Sequence, residues 1–304
     1  RRLDLELGVR YSSQTQRYDE SVSGLIGSGS AAALIPPLAT SDQSVTTYLI
    51  NPSFHVTDDV MLYARAASGF RPGGPNFVYA GGGNPTFAPD KLWSYELGEK
   101  SRLFDRRATL NFDLYDIDWK DIQVTVNNGG VNQLENAGHA HVTGAEMSFD
   151  VRVLPVLTLG GSAAYTNAHL ISTAPAIDVT TVGVRLPLSP RVNFALLGTY
   201  SFDLGSGYTG SLTMADRWIG QRNAGFGTVI SPQYRLPSYN ITDIHLTVEA
   251  PNHLVYGLYV RNLFDEAGQV SASVLANEYN PAAPVPVVLE QPRTIGLSVN
   301  YKFD

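Results

Sequence analysis

The chain has 304 residues and no cysteine, which excludes a disulfide framework, a thiol nucleophile and a cysteine-based zinc site. Its formal net charge of -7, with no clustered basic run, excludes the phosphate-neutralising surface that a nucleic-acid partner requires. Hydrophobic residues make up 43% and charged residues only 16%, well below the rough quarter of a soluble chain; no apolar run approaches the roughly 18 residues of a membrane helix, so a membrane reading has to be a barrel.

Period-two alternation begins at once. "RLDLELGVRY" sets Leu3, Leu5, Leu7, Val9 and Tyr11 on one face of a strand and Asp4, Glu6, Gly8 and Arg10 on the other. "LWSYELGEKSRLF" sets Trp93, Tyr95, Leu97 and Leu103 against Ser94, Glu96, Gly98, Lys100 and Arg102. "LTLGGSAAY" places Leu157, Leu159, Ala163 and Tyr165 on one face, and "RVNFALLGTYSF" places Val192, Phe194, Leu196, Tyr200 and Phe202. The closing "TIGLSVNYKFD" interleaves Ile295, Leu297, Val299, Tyr301 and Phe303 with Gly296, Ser298, Asn300 and Lys302. About twelve such segments follow one another, each near the ten-residue length of an outer-membrane strand. Helical periodicity is not evident.

Connections alternate in length along the chain. Short turns are expected at Thr57 to Asp59, Asp105 to Arg107, Leu154 to Val156, Gly205 to Gly207 and Pro251 to His253. Between them lie Gly-, Pro- and Ser-rich stretches at Ser12 to Gln43, Arg71 to Lys91, Asn127 to Gln133, Ile171 to Pro190, Asn223 to Leu236 and Asp265 to Glu290. A β-sandwich carries loops of similar size at both ends, whereas a transmembrane barrel has one trimmed end and one elaborated end. Aromatic residues fall towards both ends: Phe54, Phe104, Tyr200, Phe202, Tyr208, Tyr301 and Phe303 by the short turns, and Tyr11, Phe70, Trp93, Trp119, Trp218 and Tyr239 by the long loops. The apolar face of each strand is therefore expected to meet lipid, and the polar face a wet or plugged lumen.

Six segments in order, "LYARAASGFRPGG", "FAPDKLWSYELGEKS", "LNFDLYDIDWKDIQV", "NAGHAHVTGAEMSFDV", "YVRNLFDEAG" and "PRTIGLSVNYKF", resemble the C-terminal barrel half of TonB-dependent outer-membrane receptors. The resemblance implies an all-β fold: an antiparallel up-and-down transmembrane barrel of which about 12 strands of a total of about 22 are present. It implies that residues 1–304 are a single β-barrel region, with the N-terminal plug domain and the TonB-contacting segment (the TonB box) not included in this sequence. The chain starts at Arg1 with nothing resembling a signal sequence, so it is expected to be a piece of something longer.

The same resemblance implies residue roles. Tyr63 and Gly69-Phe70-Arg71-Pro72 match the family's strand exit into a long outer loop, where Pro72 cannot donate to a ladder. Glu96, Lys100 and Glu146 match lumen-facing positions, Asn262-Leu263-Phe264-Asp265 matches the segment before the last outer loop, and Phe303 matches the terminal aromatic that the barrel-assembly machinery reads. Glu99 departs from the pattern by standing on the lipid-facing parity, and Asp304 follows the terminal aromatic. Ligand-binding candidates are Arg71, Phe77 and Tyr79 in one loop and Arg217, Trp218 and Arg222 at the mouth of another strand: Arg suits anionic ferric chelates, and rings suit catecholate or macrocycle faces. The implied activity is TonB-dependent uptake of a scarce ligand such as a ferric siderophore across the outer membrane of a Gram-negative bacterium. The implied partners are that ligand, TonB through the plug region, outer-membrane lipid and lipopolysaccharide, and the assembly machinery.

No cofactor, metal site or catalytic residue is assigned. His139 and His141 project two imidazoles to one side of a strand, but no third ligand lies at useful spacing, and they read as a strand end outside the hydrocarbon. The alternative is a stand-alone small outer-membrane barrel, either a porin-like channel or a phospholipase-like enzyme. There is no G-x-S-x-G or "HxSNG"-like run for the enzyme, and a porin lacks this motif order.

Overall fold

The computed structural model describes residues 2–19, 39–76, 84–128, 131–174, 182–226, 234–273 and 284–303. In chain order, β1 (Leu3–Tyr18), β2 (Ala39–Thr57) and β3 (Val60–Arg71) open a meander. A two-residue ladder, β4 (Gly74–Pro75) with β5 (Thr86–Phe87), precedes β6 (Asp90–Leu103) and β7 (Ala108–Lys120). The hairpin β8 (Gln123–Asn128) and β9 (Val131–Asn136) leads to β10 (His139–Leu154), β11 (Leu157–Leu170), β12 (Val192–Gly205) and β13 (Tyr208–Ile219). A short β14 (Arg222–Asn223) and β15 (Arg235–Leu236) precede β16 (Tyr239–Glu249) and β17 (Leu254–Arg261), and β18 (Gln269–Ala272) with β19 (Val287–Leu289) precedes β20 (Thr294–Tyr301).

Twelve strands pair in one antiparallel sheet in the order β1-β2-β3-β6-β7-β10-β11-β12-β13-β16-β17-β20, each bonded to its neighbour along the chain; the first and last are its two edges. The remaining ladders are hairpins within the long loops. The short turns fall where alternation breaks. At one, Phe104, Asp105 and Arg106 all take positive φ; at another, Ser206 does so between two glycines.

Register separates the two faces. One row of partners runs Leu3, Phe54, Leu62, Glu99, Phe112, Met147, Ala163, Phe194, Trp218. The row beside it runs Asp4, Ser53, Tyr63, Gly98, Asp113, Glu146, Ala164, Asn193, Ile219. The apolar face is not covered by a second layer: Leu97 is 63% exposed and Leu297 81%. An oily outer surface of this extent, on a wall whose other face carries the charges, is the pattern of a transmembrane barrel wall.

Inside, tyrosines lie flat across neighbouring strands because glycine stands opposite. A Cβ at Gly98 would come within 2.4 Å of the Tyr63 ring, and one at Gly144 within 2.3 Å of Tyr115. The Tyr115 hydroxyl then reaches Thr166 Oγ1 at 3.0 Å on the strand beyond.

The buried apolar cluster sits at the long-loop end. Ile122, Val124, Val126, Ala137, Ala140, Leu170 and Ala174 pack together, with Trp119, Val184 and Leu186 against them. The sequence expectation for two of the loops is thereby corrected. β1 continues to Tyr18 and β2 starts at Ala39, so both ends of Ser12 to Gln43 are paired strand, and a hairpin occupies Gln123–Asn136. In the first case the extension lies beyond the apolar band, where Ser, Thr and Gln pair on both faces, so no hydrophobic alternation marks it.

Candidate functional site

Three groups of charged side chains stand on the inner face. Along the wall, the Tyr63 hydroxyl donates to Glu96, Arg65 Nη1 lies 3.7 Å from Glu96 Oε2, and Lys100 Nζ sits 5.4 Å over the Tyr63 ring. Asp113 and Glu146 are direct cross-strand partners. Glu96, Lys100 and Glu146 therefore line one polar stretch of the inner surface, placed there by strand parity.

The second group is at the rim where β3 ends. Arg71 pairs with Asp90, the first residue of β6, through Nε at 2.7 Å and through Nη2, and its guanidinium lies 4.9 Å over the Trp119 ring. Asp90 is 1% exposed and also accepts the Arg71 backbone N–H at 3.0 Å. Half of the Arg71 side chain remains open. Asn and Gln side chains knit the surrounding loops to each other's backbones. Gln123 Nε2 donates to Pro72 O at 2.9 Å and Ala88 O at 3.1 Å, Asn136 Nδ2 donates to Ala88 O at 2.9 Å, and Asn76 Nδ2 donates to Leu134 O at 2.7 Å.

The third group lies at the rim of β13 and β16. Arg217 Nη2 is 3.1 Å from Glu290 Oε2, while the Tyr239 hydroxyl donates to Glu290 Oε1 at 2.9 Å. Arg222 lies 5.3 Å over the Tyr239 ring, and its Nη2 donates to Gln269 O and Val270 O at 2.8 and 2.9 Å. Arg217 is half exposed on this face and is held from behind by a carboxylate that is mostly buried. Arg71 and Arg217 thus share one design: a braced guanidinium presented to the interior.

The structure divides the sequence candidates. Arg217 and Arg222 converge on Tyr239 and Glu290, and Arg71 stands in its own group. Trp218 is turned to the outer face, where it stacks on Phe194 at 5.5 Å, because adjacent residues of a strand point oppositely. Phe77 and Tyr79 lie outside the described residues. Trp119 and Tyr239, read from sequence as members of an aromatic band, face inward into the rim. Tyr48, Trp93 and Tyr95 instead form an outward stack, with centroids 6.3 and 6.2 Å apart. His141 Nε2 is 2.8 Å from Asp116 Oδ2 and His139 Nε2 is 3.8 Å from Asp121, on the outward side of β10 near its long-loop end. Phe303 follows β20 and meets Tyr301 edge to face at 4.9 Å.

Sequence reasoning missed Asp90 and Glu290. Asp90 had a usable signal, since it opens the strand that pairs with the Arg71 strand. Glu290 is 73 residues from Arg217 and had none.

A family model described as TonB dependent receptor-like, beta-barrel, matches residues 1–263. The catecholate siderophore receptor Fiu of Escherichia coli (strain K12) is 27% identical over 326 residues, covering 100% of this chain and 40% of the receptor. The metal-pseudopaline receptor CntO of Pseudomonas aeruginosa PAO1 is 25% identical over 261 residues, covering 85% and 34%. The crystal structure of the ferric yersiniabactin uptake receptor FyuA from Yersinia pestis superposes with a TM-score of 0.81 at 23% identity, covering 100% of this chain and 43% of that one. The chain spans about 40% of the length of the curated relatives it matches most fully.

Proposed function

Because the chain belongs to the TonB dependent receptor-like β-barrel family, whose members are Gram-negative outer-membrane proteins, we propose that residues 1–304 are the C-terminal wall of an outer-membrane receptor barrel. On this reading they form a single barrel region, and the long loops face the exterior. The whole receptor takes up a scarce chelated metal of the ferric siderophore kind. A plug domain in the rest of the barrel contacts TonB, and the work of opening a path comes from there.

The observation that carries the ligand class is the pair of braced arginines, Arg71 and Arg217, both on the inner face at the long-loop rim and both half open. A ferric chelate with catecholate or carboxylate arms is an anion with flat apolar faces. A guanidinium already oriented by a buried carboxylate can add charge-assisted hydrogen bonds to it without ordering a free side chain. No bond in the ligand is made or broken by these residues, so the role is capture and passage.

The test is binding of a ferric tris-catecholate to the full-length receptor. Arg71→Ala and Arg217→Ala are each expected to weaken affinity about tenfold, the loss of one charged hydrogen-bonding group. Unchanged affinity for every ferric chelate tried removes both residues from the site.

A further inference from the structure

The carboxylates behind the two braced rim arginines come from different places. Asp90 belongs to the wall: it opens β6, is 1% exposed, and accepts both the Arg71 backbone N–H and the Arg71 side chain. Glu290 follows β19 in the last loop, so its bond to Arg217 at 3.1 Å joins a wall strand to a loop segment. That segment is a strap made of the β18–β19 ladder, closed at its base where the Glu290 N–H donates to Gly268 O at 2.8 Å. A Cβ at Gly268 would come within 2.6 Å of the Tyr239 ring, so the backbone of the strap rests on that inward ring.

The wall holds the strap in two ways. Arg217 and the Tyr239 hydroxyl hold the Glu290 carboxylate, and Arg222 Nη2 holds the backbone carbonyls of Gln269 and Val270. Arg222 is 6% exposed, and its Nη1 has no hydrogen-bond partner among the described residues. A buried cation that rests on neutral carbonyls and an aromatic face, with a donor to spare, is costly until an anion reaches it. The strap therefore neutralises one guanidinium and covers the other.

We propose that Glu290 is an internal competitor that decides which anions this rim keeps. An incoming anionic chelate replaces Glu290 on Arg217; the strap, losing its carboxylate tie, lifts from Tyr239, and Arg222 exchanges its two carbonyls for the chelate. Closed and lifted straps are two states, and a ligand shifts them only by its differential affinity for each. A single carboxylate would merely replace another at Arg217. Retention thus selects a chelate with several anionic oxygens, able to engage both guanidiniums at once. Arg71 has no such gate, because Asp90 cannot leave it without also giving up the Arg71 backbone N–H. The proposal rests on the capture function given above and adds that the brace on Arg217 is releasable.

The experiment measures binding of a ferric tris-catecholate to the full-length receptor, together with hydrogen exchange in the peptides covering residues 268–272 and 287–290. Glu290→Gln keeps the shape and removes the charge; it is expected to tighten binding about tenfold, and Arg222→Gln in the same chain to cancel that gain. In the unaltered receptor, saturating chelate is expected to speed exchange in both peptides about tenfold, towards the rate of ligand-free Glu290→Gln. Benzoate, a single carboxylate, is expected to leave the exchange unchanged. Weaker or unchanged binding by Glu290→Gln makes Glu290 a fixed brace and overturns the proposal. Exchange that slows or stays constant on chelate binding overturns it, as does acceleration by benzoate. Should Glu290→Gln not fold, as judged by loss of heat-modifiable gel migration, the exchange response of the unaltered receptor decides. An unaltered receptor that binds no ferric chelate fails the capture function and this proposal with it, whereas tight binding with slowed exchange fails this proposal alone.

Discussion

Gly98 and Tyr63 work as one unit on the inner face. The ring lies where a side chain at position 98 would stand, and from there its hydroxyl reaches Glu96. Gly98→Ala must lift the ring off the neighbouring strand and break that hydrogen bond. Overpacking of this kind costs about 1–3 kcal/mol. The expected outcome is a lower temperature of heat-induced unfolding on a gel, restored when Tyr63→Ser is added; no change in either variant would show that the ring is not held this way. At this scale parity in the sequence put Glu96, Lys100 and Glu146 on the inner face, and the same rule already set Trp218 opposite Arg217. What it could not tell was which rim aromatics turn inward, since Trp119 and Tyr239 are buried by loops distant in sequence. Glu99 stands on the outer face between Leu62 and Phe112, four positions from the end of β6, close to the short turns, where a carboxylate in lipid costs least.

Elements at the long-loop end are held by a different chemistry from the wall. Asn262, 3% exposed and at positive φ, closes the turn after β17: its Nδ2 donates to Glu266 O and Gln291 O, both at 2.9 Å, and its Oδ1 accepts from Glu266 N at 2.8 Å. Asp265 continues the motif by accepting the Arg293 N–H at 2.8 Å. Asn262→Ala leaves buried backbone groups unpaired, at a cost of about 1–3 kcal/mol for each. Proteinase K is then expected to cut between residues 263 and 293 in the folded full-length receptor, with the wall intact; continued resistance would place the constraint elsewhere. The motif was visible in sequence as a four-residue segment that resembles the family's, but its mechanism was not, because half its partners lie across the last loop. Likewise, the membrane portion of each strand was readable from alternation, while the polar extension of β1 and β2 was not, since beyond the lipid nothing selects apolar residues on one face.

For the molecule as a whole, the decisive fact is that, among the described residues, the sheet ends in two edge strands, β1 and β20, with no further strand paired to either. An unpaired strand beside a large oily face is a template for further pairing. Residues 1–304 refolded alone in detergent micelles are expected to associate edge to edge, with light scattering giving the mass of a dimer or more, whereas the full-length receptor stays monomeric. A monodisperse, heat-modifiable monomer of the 304-residue chain would mean that these strands close on themselves. Twelve strands and the alternation of long and short connections were evident from spacing, but whether the wall closes depends on shear between the ends, which no local pattern records. One property of the loop end separates shape from charge. Its ties are mostly amide-to-carbonyl bonds around a dry apolar knot, and neither responds much to added electrolyte, whereas two open guanidiniums do. Ionic strength is thus a dial that turns down the pull of these two guanidiniums while leaving the architecture around them in place, so, on the proposed function, the slope of affinity against salt counts the charges that a bound anion meets there.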